Sequence, residues 1–226
     1  MHRIRLPRWA VERGGGLNRF DALLPGKTAL VNIDMQAVFV DADQIYGNPN
    51  ARDIAPAINA LSAAMRAAGA PVIWTRNTVT DRGPCAYAPW QYDPAQPGVA
   101  QALAAMTAGG PGHGLSTMVQ PAADDIVIDK YRYGALSCPA GALRRTLEAL
   151  GTEMVIITGV LTNCCCESTA RELNMANYRV MVVADATATV TDAEHNAALL
   201  NLRLLFADVR RMREVLAMTR AALAPS

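Results

Sequence analysis

The chain has no charge of either sign to spare, no long apolar run and no cysteine framework. Lys and Arg number 21 against 20 Asp and Glu, a formal net charge of +1 over 226 residues. That balance leaves no electrostatic footprint for nucleic acid or an anionic membrane surface, and neither partner is expected. No apolar stretch approaches the roughly 18 residues that a membrane span needs. Cysteines are few and odd in number, five in all, and three are adjacent at 164–166, too close to bridge one another in ordinary geometry. Reduced thiols in a cytoplasmic protein are therefore expected instead of a secreted disulfide scaffold. The redox motif Cys-x-x-Cys is missing. So is a phosphate loop: "PGKT" at 25–28 lacks the earlier glycine and precedes a strand-like run instead of following one.

What is present is apolar and periodic. With 51% hydrophobic residues, the chain can bury one sizeable core, and a single domain over 26–226 is expected. Residues 1–25 carry Arg3, Arg5, Arg8, Arg13 and Arg19 without the apolar core of a signal peptide. They could pass as an organelle transit peptide, but the expectation is an extended arm lying on the domain or on a neighbouring subunit.

Short apolar runs at 28–34, 70–77, 125–129, 152–160, 178–185 and near 207–209 read as strands. Between them, 51–69, 139–151, 163–177 and 191–206 have helical spacing, and a last helix starts near Arg211. Strands that are apolar throughout and alternate with helices predict an α/β fold, a mostly parallel six-stranded sheet in three αβα layers. The segment 77–124, rich in Gly and Pro, breaks the alternation and reads as a surface excursion of the kind that forms lids or pocket walls.

In such a sheet, ligands bind beyond the carboxyl ends of the strands. The polar residues at those ends are Asp34, Arg76, Asn77, Lys130, Thr162, Asn163 and Asp185. The cysteine triplet follows one such end and opens a helix, where the dipole and free N–H groups favour a thiolate and can stabilise an oxyanion. Each residue has a blander reading: an aspartate after a strand is usually a cap, a lysine a solvated charge, a buried cysteine a small hydrophobe. Metal binding by three consecutive helix positions, pointing roughly 100° apart, is poor. None of His2, His113 and His195 sits at a strand end, whereas Asp34 and Lys130 can reach the same sheet edge. An aspartate base held ionised by a lysine is a workable thiol activator.

Together "VNIDMQAVF", "DIVIDKYRYGA" and "ITGVLTNCCCESTARELNMANYRVMVVADATAT" resemble the isochorismatase-like cysteine hydrolases over roughly residues 26–210. The resemblance implies a catalytic triad of Asp34, Lys130 and Cys165, the register from Thr162-Asn163 selecting the middle thiol. It also implies a cis peptide at Val160–Leu161 and an oxyanion hole made by the N–H groups of Leu161 and Cys165. The family's Ser-x-Phe after the lysine motif reads Gly134-Ala135-Leu136 here, so a different pocket wall is expected. The Asp-x-His metal cluster of its nicotinamidase branch is missing, and neither metal nor cofactor is expected. The amidase branch fits best, with streptothricin hydrolase-like and ureidoacrylate hydrolase-like members in view.

The function expected from the resemblance is cysteine-dependent hydrolysis of a C–N bond, amide or ureido, in a small molecule through a thioester. A vinyl ether hydrolase and a non-catalytic binding or assembly module are the alternatives. Gln36, Phe39, Trp74, Asn77, Trp90, Tyr92 and Tyr133 are candidates to line the pocket. Cys164 and Cys166 are expected to be packing residues, and a homo-oligomer, dimer or tetramer, is expected.

Overall fold

The computed structural model describes residues 1–14 and 16–222. Six strands form one sheet: β1 Thr28–Ile33, β2 Val72–Asn77, β3 Ile126–Lys130, β4 Met154–Val160, β5 Arg179–Ala188 and β6 Asp208–Arg210. Their spatial order is β3-β2-β1-β4-β5-β6, and every adjacent pair is parallel. The chain starts in the middle, winds to one edge, then returns past β1 to build the other half. Where the direction reverses, between β1 and β4, the crossovers leave in opposite directions and open a crevice at the carboxyl edge.

Among the described residues, eight α-helices flank the sheet: α1 Arg8–Gly14, α2 Ala37–Val40, α3 Pro49–Ala67, α4 Val99–Met106, α5 Ala142–Ala149, α6 Glu167–Met175, α7 Asp192–Asn201 and α8 Met212–Ala222. Strand residues alternate between two cores, as the period of two requires. Leu30, Trp74, Ile156 and Met181 pack with Ile54, Ile58 and Leu61 of α3 and Val215 of α8. Val31, Ile73, Ile157 and Val182 pack on the opposite face with Leu143 of α5, Leu173 of α6 and Leu199 of α7. A third, smaller cluster joins Val38 to Leu103 and Met106 of α4, so the 77–124 excursion is anchored by a helix that its composition did not reveal.

Several boundaries differ from the sequence expectation. β5 runs three residues past Asp185 to Ala188, and Asp185 accepts the Met212 N–H at 2.6 Å, capping α8 instead of ending a strand. α3 begins at Pro49, preset for a first helical turn, after Asn48 caps the Asn50 N–H at 2.9 Å. The arm is not wholly extended, because α1 interrupts it. Gly134, Ala135 and Leu136 form no pocket wall: Ala135 and Leu136 are buried under the sheet. A side chain at 134 would overlap the Glu172 carboxylate, which accepts the Leu136 N–H at 2.9 Å.

At the switch point, Gly159 has φ +105°, and a Cβ there would overlap the carbonyl of Ile33 on the neighbouring strand. Gly159→Ala therefore meets both a forbidden dihedral and a backbone clash that no rotamer relieves. A loss of at least ~2 kcal/mol in denaturant unfolding is expected. A wild-type midpoint in that variant would show that β1 and β4 do not approach this closely.

Candidate active site

Three strands each deliver one group to the crevice. Asp34 follows β1 with φ +49°, in the left-handed region that few non-glycine residues adopt, and its side chain is fully buried. Thr75 of β2 holds it from two sides: the threonine hydroxyl donates to Oδ1 at 2.6 Å and accepts the Asp34 N–H at 3.1 Å. Oδ2 lies 2.7 Å from Lys130 Nζ, a close ion pair made without a well-angled hydrogen bond.

Lys130 ends β3 and is 1% exposed. Its ammonium also donates to Asn77 Oδ1 at 3.2 Å, to the Arg132 carbonyl at 3.0 Å and to Cys165 Sγ at 3.5 Å. Burial opposes the charge, but the Asp34 carboxylate, and then the Cys165 sulfur, outweigh it and raise the lysine pKa above its ordinary value. A single ammonium thus touches the carboxylate and the thiol together.

Cys165 stands in a π-helical turn, Thr162–Cys166, that follows β4 and runs into α6; the Val160–Leu161 peptide before it is cis. Its thiol pKa is driven well up, first by hydrogen bonding to Cys164 and then by burial, with Lys130 pulling the other way. Cys164 moves oppositely: the Cys165 thiol favours its thiolate, burial resists, and Lys130 assists. Cys164 is half-buried; it packs against the core, as expected, and it also borders the cavity beside Cys165. Cys166 is fully buried among Ala170, Leu173 and Val182.

A cavity of about 510 Å³ opens over Cys165, and Phe39, Asn77, Tyr92 and Tyr133 border it. The other sequence candidates lie elsewhere. Gln36 is fully buried and spends its amide on backbone, donating to the carbonyls of Asn77 and His113 and accepting the Asn77 N–H at 2.6 Å. Trp74 is buried in the α3 core, its indole N–H donating to Asp125 at 2.7 Å. Trp90 is 85% exposed and borders a neighbouring depression. Residues not foreseen on the wall include Ile45, Tyr46, Met106 and Val190. Among the described residues, no three His, Cys, Asp or Glu side chains gather as metal ligands, and no helix is long and apolar enough to cross a membrane.

The turn that carries the cysteines is braced from behind by two histidines. His195 Nδ1 lies 2.9 Å from Thr162 Oγ1, and its ring stacks on His2 of the arm with centroids 4.3 Å apart. His2 is itself held by Asp192 at 2.8 Å. Neither borders the cavity; they position the turn.

Burial, followed by the neighbouring His2, lowers His195 from 6.5 to about 4. Between those values the unfolded chain binds the extra proton, so stability is complete above about 6.5 and is lost as pH falls toward 4, by on the order of 3 kcal/mol. Denaturant midpoints measured across that window should fall, and His195→Gln should flatten the slope; an unchanged slope would assign the loss elsewhere. Iodoacetamide labelling read by mass spectrometry is expected on Cys164 and Cys165 and not on Cys166. Modified Cys166 in the folded protein would mean that the turn packs differently.

The Isochorismatase domain model of protein families matches residues 28–214. A ureidoacrylate amidohydrolase of Pseudomonas savastanoi pv. phaseolicola is 30% identical over 198 residues, which is 80% of this chain and 79% of that protein. Nicotinamidase 3 of Arabidopsis thaliana is 42% identical over 83 residues, but these are 37% of this chain and only 41% of that one. The crystal structure of a cysteine hydrolase from Pseudomonas syringae pv. phaseolicola superimposes with a TM-score of 0.81 at 27% identity, covering 91% of this chain and 98% of the other. With the family model spanning the whole sheet and the same fold in that hydrolase, the chain belongs to the isochorismatase-like hydrolase family.

Proposed function

We propose that the chain is a cysteine amidohydrolase that cleaves the C–N bond of a small amide or ureide through a thioester. The observation that carries this reading is Lys130 Nζ lying 2.7 Å from Asp34 Oδ2 and 3.5 Å from Cys165 Sγ, with the sulfur at the base of a substrate-sized cavity. Relatives named as an amidohydrolase and a nicotinamidase support C–N chemistry over a vinyl ether. A purely structural module would have no use for a buried ion pair set against a thiol.

The raised thiol pKa keeps Cys165 protonated at rest. As sulfur attacks the carbonyl carbon, its proton passes to the Asp34 carboxylate, which Lys130 holds at 2.7 Å; Oδ1 stays fixed by Thr75. The N–H groups of Leu161 and Cys165 receive the oxyanion. Asp34 then protonates the departing ammonia or amine, and water, deprotonated by the same carboxylate, hydrolyses the thioester. Side chains, backbone N–H groups and water supply every step of this scheme. Residues 26–226 form the catalytic domain and 1–25 the arm that braces it.

An ammonia-release screen over small amides, ureides and carbamoyl acids tests this on wild type and Cys165→Ala. The substitution is expected to reduce turnover at least about 10³-fold with the unfolding midpoint little changed. Release that persists in Cys165→Ala would sink the mechanism, and no release from any amide would remove the amidase class.

A further inference from the structure

Resting on the amidohydrolase reading, we infer that the substrate is a neutral amide or ureide with an apolar or aromatic body, and that compounds bearing a carboxylate are rejected. The cavity over Cys165 takes its wall from the rings of Phe39, Tyr46, Tyr92 and Tyr133 and from Ile45 and Met106. Among the described residues that border it there is no Lys, Arg or His. The cations beside it are committed elsewhere. Lys130 lies beneath the sulfur, 1% exposed, and is shared among Asp34, Asn77, the Arg132 carbonyl and Cys165. Arg132 turns away, donating to the carbonyls of Cys85 at 3.0 Å and Tyr131 at 2.6 Å.

The amides on the wall are also spent. Asn48 donates to the Thr189 carbonyl at 2.8 Å and accepts the Asn50 N–H at 2.9 Å. Asn77 accepts from Lys130 and points its amide nitrogen at Met106 Sδ, 3.5 Å away. Tyr92 donates to the Tyr133 hydroxyl at 3.3 Å; burial, then that bond, holds its phenol neutral, with a pKa above the ordinary value. A carboxylate drawn into this space would lose its hydration and gain no cation, because the Lys130 charge beneath the sulfur is already balanced by Asp34. A neutral ring loses little water and buries its faces against the tyrosines.

Two probes of similar shape, 3-methylbenzamide and 3-carbamoylbenzoate, separate the outcomes. Ammonia release by the full chain gives kcat/KM for each, and calorimetry gives the affinity of each for Cys165→Ala. The neutral probe is expected to be favoured at least about 100-fold in both measurements. Val190 borders the cavity and is 63% exposed, so Val190→Arg is a mild substitution for folding and should narrow the gap about tenfold or more. Equal turnover, or preference for the carboxylate, with release lost in Cys165→Ala would overturn the inference and leave the amidohydrolase reading standing. Release that survives in Cys165→Ala would overturn that reading, while the affinity ratio on the same variant still decides the inference. Failure of both probes to bind Cys165→Ala would overturn it as well.

Discussion

A lysine ammonium and an aspartate carboxylate, 2.7 Å apart and both essentially without solvent contact, set the terms for everything around them. Removing two charges from water costs several kcal/mol each, and their attraction offsets that only where further hydrogen bonds complete both shells. Thr75 completes the carboxylate, and Asn77 with the Arg132 carbonyl completes the ammonium. Three parallel strands must therefore hold register at their carboxyl ends, since Asp34 follows β1, Thr75 is on β2 and Lys130 ends β3. The pairing of Asn77 with Lys130 and of Ile33 with Gly159 is the same requirement expressed in backbone. A one-residue slip would turn each group to the other face.

The pair also limits the charge that the thiol can carry. Lys130 balances one anion, and Asp34 already supplies it, so a resting Cys165 thiolate would be a second anion in the same dry space. The neighbouring Cys164 thiol and burial raise the Cys165 pKa, and the Asp34 charge adds to both; a proton passing from sulfur to Asp34, as proposed, leaves the count unchanged. In the proposed mechanism the thiol and the carboxylate share one cation, 3.5 Å from the sulfur and 2.7 Å from Asp34 Oδ2, and no low thiol pKa is required. The helix-terminal position, which alone suggests thiolate stabilisation, is outweighed by burial and by the neighbouring thiol.

The six strands and the meeting of Asp34 with Lys130 at one sheet edge were legible because two physical signals coincide in the chain, whereas the choice of Cys165 among three thiols rested on the resemblance alone. Buried parallel strands are continuous apolar runs, and a polar residue at the carboxyl end of such a run stands where α/β sheets bind ligands. Trp74 was misplaced because strand alternation assigns residues to two faces without saying which faces what; it shares the α3 face with Leu30. Trp90, Tyr46 and Met106 belong to segments with no strand period, where an aromatic on a wall and an aromatic in solvent look alike. The supporting contacts were equally hidden. Thr75 reads as one more strand residue, and His2 and His195 are separated by most of the chain although their rings stack.

The cysteine triplet shows most plainly how local geometry overrides spacing. Regular α-helical positions are about 100° apart, which sends three neighbours in three directions and leaves one for the cavity. The turn here is wider: the Leu161 carbonyl accepts the Cys166 N–H, five residues on, at 3.1 Å as well as the Cys164 N–H at 3.1 Å. A π-type turn of this sort inserts a residue into the helix start and is common at functional sites. It keeps Cys164 and Cys165 together on the cavity side and turns Cys166 into the core beneath β4 and β5. The outer thiol then becomes the neighbour that raises the Cys165 pKa. Substitution at 164 consequently acts on the ionisation of Cys165, whereas substitution at 166 acts on packing, a distinction that three identical letters conceal.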